Sequence, residues 1–131
     1  MQKEIVVCIF IIALIIVGNI VTQNYTVDSV ESISNQLSDL KSDIFEEEDN
    51  IERDSVKDKI KQIENNWESR HDKLAYYIEH DELEKVETNL TSLRSFIEAN
   101  ENSEAVSELD KSIFVLKHIE DKYAFNLQNI F

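Results

Sequence analysis

The stretch IVVCIFIIALIIVGNIV, residues 5–21, decides how the rest of the chain is organised. It contains no charged residue, and between Ile5 and Val17 it lacks the polar stripe that a partly solvated helix carries. At 1.5 Å per residue its helix is about 25 Å long, close to the roughly 30 Å thickness of the hydrocarbon core of a bilayer. The sequence therefore predicts a transmembrane helix over residues 5–21.

Two other interpretations of this stretch are a secretory signal that is removed and the core helix of a soluble protein. A secretory signal ends in a small-x-small cleavage site, whereas residues 18–23 read GNIVTQ and contain no Ala-x-Ala pattern. A core helix would normally have a polar stripe on its outer side. We therefore favour an anchor that stays attached to the protein and holds it in a membrane.

The basic residues that flank the stretch predict on which side of the membrane the chain lies. Lys3 precedes it, and the next basic residue after it is Lys41. Positively charged flanks remain on the cytoplasmic side. We expect residues 1–4 in the cytoplasm and residues 22–131 outside it, in a single-pass protein of the cytoplasmic membrane.

The composition of the 131-residue chain favours helices and excludes several partners. The chain has no proline and one glycine, Gly18, so the turns of β-hairpins have few candidate residues. Its net charge of −14 repels the phosphates of nucleic acids, and we expect no DNA or RNA partner. Cys8 is the sole cysteine, so no disulfide can form within the chain.

Beyond the apolar stretch, four sets of apolar residues recur three and four positions apart, as the buried face of a helix requires. The sets cover Val30 to Ile44, Val56 to Tyr77, Leu83 to Ile97, and Val106 to Ile130. The register jumps by two positions between successive sets, which indicates helix boundaries. The sequence thus predicts an all-α fold in which a single N-terminal transmembrane helix precedes a small antiparallel helical bundle.

The chain is expected to divide into a membrane-proximal segment and a bundle. We assign residues 22–50 to a juxtamembrane amphipathic helix or stalk, and residues 51–131 to an acidic helical bundle. The first segment has two apolar heptads, which are too few for a stable isolated helix. Its partner is the bundle, a second copy of the chain in a parallel coiled coil, or the continuing anchor helix. The acidic stretch FEEEDNIERD, residues 45–54, predicts a bend between segment and bundle.

Two later boundaries carry residues typical of helix N-caps. Asp81 and Glu84 match the D-x-x-E arrangement in which a side-chain oxygen accepts a hydrogen bond from a free backbone N–H. Ser103 follows the polar residues 100–102 and offers the same chemistry. We expect Asp81 and Ser103 to cap the starts of two helices.

No complete set of catalytic or metal-binding residues is present in the sequence. Glu68 and His71 have the i, i+3 spacing of ligands in di-iron bundles, but the other residues of such a site are missing. The acidic stretch at residues 45–54 lacks the glycine and the terminal glutamate of a calcium loop. No glycine-rich phosphate loop and no nucleophile motif occur. We predict no cofactor, no metal and no enzymatic activity.

A few polar and aromatic residues remain candidates for binding. His80 with Asp81 forms a pair that either titrates near neutral pH and binds a ligand or simply closes a turn. Trp67 lies on the apolar face of its helix, and we expect it in the core because aromatic side chains bury large areas there.

The end of the chain, YAFNLQNIF over residues 123–131, is a further candidate. Its apolar residues make it either a docking tail or a segment that packs back on the bundle, which we favour because terminal segments are ordered only when they are tied down. The candidate interaction residues in it are Asn129, Ile130 and Phe131.

With these residues in view, the chain resembles an uncharacterised bacterial family catalogued as domain of unknown function 4363. The shared features are the N-terminal anchor, the Trp67 helix, the stretch HDELEKVETNLTSL over residues 80–93 and the ending LQNIF over residues 127–131. The resemblance implies a short single-pass protein of Gram-positive, often spore-forming, bacteria with no assigned activity. The residues that it implies to matter in the family are Trp67, His80, Glu82 and Asn129.

These features predict a non-enzymatic accessory module that is held at the outer face of the cytoplasmic membrane and binds another membrane or envelope protein. A second copy of the chain is a further candidate partner. The alternative prediction is an extracytoplasmic ligand-sensing helical bundle. Because residues 1–4 are too few to pass a signal inward, such a sensor would act through a partner.

Overall fold

The structure is a computed structural model. It describes residues 1–46 and 54–130, except the side chains of residues 124–130. These parts of the chain contain four α-helices and no β-strand. The helices are α1 (Gln2–Glu46), α2 (Asp54–Leu74), α3 (His80–Glu98) and α4 (Asn102–Ile130). The predicted all-α fold is confirmed. The predicted bend lies mainly outside the described residues, between the end of α1 and the start of α2.

α1 joins the apolar stretch and the first amphipathic segment in one helix of 45 residues. No proline interrupts it, and the helix continues through Gly18. Its first half, up to Val21, is largely exposed, whereas its second half buries one face between Thr26 and Ile44. The second half of α1 therefore continues the apolar helix and also packs against other helices of the protein.

Of the helices that the structure describes, α1 is the one long and apolar enough to cross a membrane. None of the other described residues covers its apolar stretch. Length and composition of this kind suit a membrane span and a signal sequence near the amino terminus alike.

One hydrophobic core joins the four helices. The core consists of the helix faces that the three-and-four spacing predicts to be buried. Full burial of one Leu or Ile side chain contributes about 1.5–3 kcal/mol to the free energy of folding. The largest fully buried side chains are Ile33, Leu37, Leu40, Ile44, Ile60, Ile63, Leu83, Leu90, Leu93, Ile97 and Leu109.

The order of the ion pairs shows how α1 and α2 run past each other. Asp43, near the end of α1, binds Lys59 near the start of α2. Asp28, farther back in α1, binds Arg70 near the end of α2 at 2.9 Å. The two helices therefore run in opposite directions, and the end of α2 lies beside the part of α1 that follows the apolar stretch. Each helix contacts two others, α1 with α2 and α4, and α3 with α2 and α4.

α3 begins before the residue that was expected to cap it. The Glu79 carbonyl accepts the first helical hydrogen bonds, from the N–H groups of Glu82 at 3.1 Å and Leu83 at 3.4 Å. Glu79 is thus the N-cap, without a side-chain bond, and Asp81 lies inside the first turn. The prediction that Asp81 caps α3 is wrong, although its carboxylate still lies at the positive end of the helix dipole.

The start of α4 also differs from the expected one. α4 begins at Asn102, and the N–H of Ala105 donates to the Glu101 carbonyl at 3.0 Å. Ser103 is therefore a residue of the helix, and the prediction that it is the N-cap is wrong. The physical reason is that the tight turn at the end of α3 already brings Glu101 into position to accept this bond.

That tight turn depends on the left-handed conformation of Asn100, which has a φ of 57°. The N–H of Glu101 donates to the Phe96 carbonyl at 2.9 Å, and the N–H of Asn100 donates to the Ile97 carbonyl at 3.0 Å. These two bonds form a Schellman motif, which satisfies the last carbonyls of α3. The motif reverses the chain within three residues and holds α4 against α3.

Candidate functional site

An open groove of about 880 Å³ runs between α3 and α4. Residues spaced three and four apart on each helix line it, because this spacing places them on one face, and here that face points away from the core. The lining residues are Asp81, Glu84, Lys85, Thr88 and Asn89 of α3, and Ser107, Asp110, Lys111, Phe114 and Val115 of α4.

Phe114 is the large apolar side chain of this groove, and it is 73% exposed. Its neighbour Val115 is partly buried against the core and also lines the groove, and we call these two side chains the apolar strip of the groove. Exposed apolar surface with a polar rim is a feature of binding grooves. The groove therefore combines an apolar strip with polar walls.

The walls of the groove carry charges of both signs. Asp110 accepts a hydrogen bond from the Lys41 ammonium of α1 at 2.9 Å, which fixes its carboxylate at the rim. Lys111 lies 3.0 Å from Glu108, one helical turn back on α4. A ligand in the groove would thus meet both carboxylates and ammonium groups.

Beside the groove lies a buried carboxylate, that of Glu82, which is 7% exposed. One of its oxygens, Oε1, is 3.6 Å from the Lys122 ammonium and 4.0 Å from both His118 Nε2 and Lys85 Nζ. Its other oxygen, Oε2, is buried without a hydrogen-bond partner. A buried carboxylate is costly unless cations lie close to it, and here Lys85 and Lys122 do. Because Lys122 and His118 belong to α4, the cluster joins α3 to α4.

Lys122 is the central cation of this Glu82 cluster. Burial lowers the pKa of its ammonium, but Glu79 at 3.5 Å and Glu82 at 3.6 Å outweigh burial and leave this pKa above its usual value. Lys122 is therefore charged at neutral pH. Lys85 links the cluster to the groove, since it lines the groove and also reaches Glu82.

Trp67 lies in the core, 3% exposed, and not in the α3–α4 groove. Its ring meets that of His71 edge-on, with the ring centroids 6.2 Å apart, and its indole nitrogen has no hydrogen-bond partner. A smaller groove of about 240 Å³ lies over it between α2 and α3. The residues lining that groove are Glu64, Trp67, Glu68, Glu87, Leu90 and Thr91.

An ion pair and a histidine–carboxylate contact cross between α2 and α3 near Trp67. Glu64 accepts a hydrogen bond from Arg94 at 2.8 Å, and His71 lies 3.1 Å from Glu87. Burial raises the pKa of the Glu64 carboxyl, although Arg94 opposes the shift. Within residues 1–46 and 54–130, no group of three or more His, Cys, Asp or Glu side chains could hold a metal ion. The spacing of Glu68 and His71 drew attention to Glu68 as a neighbour of His71. The structure shows that a carboxylate from another helix, that of Glu87, contacts His71.

The three consecutive candidates at the start of α3 point in different directions, because each residue of a helix turns by about 100°. His80 is exposed, with Nε2 3.9 Å from Glu84. Asp81 lies at the rim of the groove, and Glu82 turns inward to α4. The backbone of Asn129 and Ile130 belongs to the end of α4 and their side chains lie outside the described residues, as does Phe131 altogether.

Sequence reasoning missed Phe114 and the α4 side chains of the Glu82 cluster, Lys122 and His118. Phe114 carries a usable signal, since it is a large apolar residue out of register with Ile113 and Leu116 on the buried face. No local signal joins Glu82 to Lys122, because they are distant in the sequence and meet only when α4 packs on α3.

Comparison with known proteins identifies a family. The chain matches the family described as Domain of unknown function (DUF4363) over residues 20–130. The match begins at the end of the apolar stretch and includes Trp67, the Glu82 cluster and the α3–α4 groove. No curated protein and no solved structure matches the chain.

Proposed function

The chain belongs to the family described as Domain of unknown function (DUF4363), and from this premise we propose that it is a non-enzymatic, membrane-anchored module that binds another membrane or envelope protein. Residues 5–21 anchor it in the cytoplasmic membrane, with residues 1–4 inside and the remaining helices outside. The position of Lys3 before the apolar stretch, with no basic residue after it until Lys41, supports this orientation.

The helices act as an antiparallel bundle that presents the α3–α4 groove. The single observation that carries the proposal is the exposure of Phe114 in that groove, next to Val115. An amphipathic helix of a partner fits such a surface, with its apolar anchors on the strip of Phe114 and Val115. Its polar flanks would meet the charged walls of the groove, which supply both carboxylates and ammonium groups.

Site-specific photocrosslinking in intact cells tests this proposal. A benzophenone amino acid replaces Phe114 in one variant and Phe45 in a control, because Phe45 is also an exposed phenylalanine but lies near the end of α1, outside the groove. We expect one membrane or envelope protein to be trapped from position 114 and not from position 45. Charge reversal of the groove lysine that does not reach Glu82, Lys111→Glu, should abolish this crosslink.

Trapping of the same proteins from positions 114 and 45, or a crosslink that persists after charge reversal, would contradict a specific groove partner. The first result would show that the benzophenone at position 114 reports exposure alone, and the second that the charged walls of the groove do not contribute to binding.

The alternative function is an extracytoplasmic ligand-sensing bundle that acts through a partner. The volume of the α3–α4 groove favours it, since about 880 Å³ is within the range of small-molecule sites. A small molecule that raises the thermal midpoint of the wild-type protein, but not that of the variant Phe114→Asp, would favour the sensor over the protein-binding module.

A further inference from the structure

The turn between α2 and α3, residues 75–79, is tied to α1 through the hydroxyl of Tyr77. This hydroxyl donates to the Thr22 carbonyl at 3.0 Å and lies 2.7 Å from Oγ1 of Thr26. The Thr26 hydroxyl is itself 2.8 Å from the Thr22 carbonyl. Because Thr22 directly follows Val21, the turn is held beside the point where the apolar stretch ends.

The height of the turn relative to the apolar stretch follows from helix geometry. α1 is continuous, so Thr22 and Thr26 lie about 1.5 Å and 7.5 Å beyond Val21 along the helix axis. The headgroup layer of a bilayer is about 5–7 Å thick on each side of its hydrocarbon core. With residues 5–21 in the hydrocarbon core, the hydroxyl of Tyr77 is at the height of the headgroups.

Tyr76 is the exposed aromatic residue of this turn, with 88% of its surface accessible, and Ala75 and Glu79 are exposed beside it. It follows Ala75, directly after the end of α2, at the end of the helix pair that lies nearest the apolar stretch. An aromatic ring so exposed makes little contact with the rest of the protein. Tyrosine suits the boundary between lipid and water, because its ring is apolar and its hydroxyl hydrogen-bonds to water and headgroups.

The other tyrosines gather at the same level. Tyr25 lies between Thr22 and Thr26 on α1, with the Lys73 ammonium of α2 5.5 Å from its ring centroid. Tyr123 of α4 meets the Tyr77 ring edge-on at 6.4 Å. The four tyrosines of the chain are Tyr25, Tyr76, Tyr77 and Tyr123. All of them thus lie at the end of the helices that adjoins the apolar stretch.

From this placement we infer that the α2–α3 turn is a lipid-contact surface, in which the Tyr76 side chain enters the headgroup layer of the outer leaflet. The inference rests on the proposed function, because it requires residues 5–21 to span the membrane. It adds a second attachment point to the anchor. The protein would then stand on the membrane in a defined orientation, with the Schellman turn at Asn100 at the far end.

Site-directed spin labelling of the full-length protein tests the inference. Cys8→Ser removes the sole cysteine, and single cysteines then replace Tyr76, Phe45 as a control far from the turn, or Ile12 as a reference inside the apolar stretch. Each labelled protein is reconstituted in phosphatidylcholine–phosphatidylglycerol vesicles. Collision of the nitroxide with oxygen and with a water-soluble nickel chelate reports its depth. All three side chains are exposed, so the labels should leave the helical circular dichroism signal unchanged.

We expect the label at position 76 to collide with the nickel chelate several-fold less often than the label at position 45, and more often than the label at position 12. Equal collision rates at positions 76 and 45, with position 12 protected, would overturn the inference alone. Free access of the chelate to position 12 would overturn the membrane anchor as well. The vesicles contain no other protein. Contact with lipid is distinguished from contact with a second copy of the chain by a raised oxygen collision rate at position 76, because oxygen concentrates in lipid.

Discussion

The carboxylate of Glu82 in α3 is buried, and its Oε1 lies 3.6 Å from the Lys122 ammonium in α4. The partner comes from a different helix, so this pair contributes to the packing of α3 on α4. A buried carboxylate that loses its cation keeps its desolvation cost without the compensating attraction. Removal of one partner alone therefore tests whether the pair contributes to stability.

Lys122→Ala should lower the thermal midpoint of the protein, because Glu82 then keeps only the more distant Lys85 and His118. The variant Glu82→Gln should lower the midpoint less, since a neutral amide is less costly to bury. Thermal unfolding of the reconstituted full-length chain measures both changes. Lys117→Ala is the matched control, because Lys117 is an exposed lysine of the same helix.

The double variant Glu82→Gln with Lys122→Ala then provides the decisive comparison. Its loss should be smaller than the sum of the two single losses, since neither charge remains to be compensated. Strictly additive losses would show that the two side chains do not interact.

Phe114→Ala should leave stability within about 0.5 kcal/mol of wild type, because Phe114 is an exposed side chain. Leu116→Ala, two residues along the same helix, should cost about 2–5 kcal/mol, since Leu116 is 1% exposed and its truncation leaves a cavity. Urea unfolding followed by circular dichroism compares the two. A large loss from Phe114→Ala would mean that its ring packs on the protein and is not free for a partner.

Asn100→Ala should destabilise the protein by about 1 kcal/mol, because an alanine in the left-handed region is strained. Asn100→Gly should be tolerated, since glycine adopts a positive φ without this strain and is the usual residue at this position of a Schellman motif. The free energy of unfolding of the two variants gives the difference. Equal losses from alanine and glycine would indicate that the Asn100 side chain, and not its φ, matters.

Tyr77→Phe should cost about 0.5–1.5 kcal/mol, the usual net worth of a hydrogen bond, because the hydroxyl that binds Thr22 and Thr26 is removed. Burial raises the pKa of the Tyr77 hydroxyl, with a smaller opposing effect of its hydrogen bond to Thr26, so the group stays a donor at neutral pH. Tyr76→Phe is the control and should have little effect on the free energy of unfolding in detergent solution.

Glu64 should make stability fall as pH rises through the acidic range. Burial raises the pKa of its carboxyl above the usual 4.5, so the folded state binds the Glu64 proton more tightly than the unfolded state does. This contribution is complete below pH 4.5 and is lost as pH rises through the folded-state pKa. The difference in free energy of unfolding between wild type and Glu64→Gln, measured from below pH 4.5 to neutral pH, isolates the contribution of Glu64.

In the Glu64 experiment, wild type should lose stability relative to Glu64→Gln as pH rises from below 4.5 to neutral. Glu31→Gln, which removes an exposed carboxylate of α1, should show a smaller change. A wild type that gains stability relative to Glu64→Gln over this range would show that the Arg94 pair outweighs burial.

The sequence by itself determined the helical class, the apolar stretch at residues 5–21 and the inward face of each helix. These features are local, because a spacing of three and four residues or the lack of charge acts within a few turns of helix. The boundary between α3 and α4 was also locatable, since the polar turn around Asn100 lies where the register jumps. The exact residues at which α3 and α4 start could not be located from the sequence, as the wrong predictions for Asp81 and Ser103 show.

Only the tertiary structure decided which side chains meet across helices. The contact between Tyr77 and Thr26 joins residues 51 positions apart, and the groove around Phe114 exists only once α4 lies against α3. Such contacts depend on how the helices are arranged around the core, and a helix face that periodicity identifies as buried can meet more than one neighbour. The location of the groove, the burial of Glu82 and the level of the tyrosines therefore follow from packing, which a local pattern does not encode.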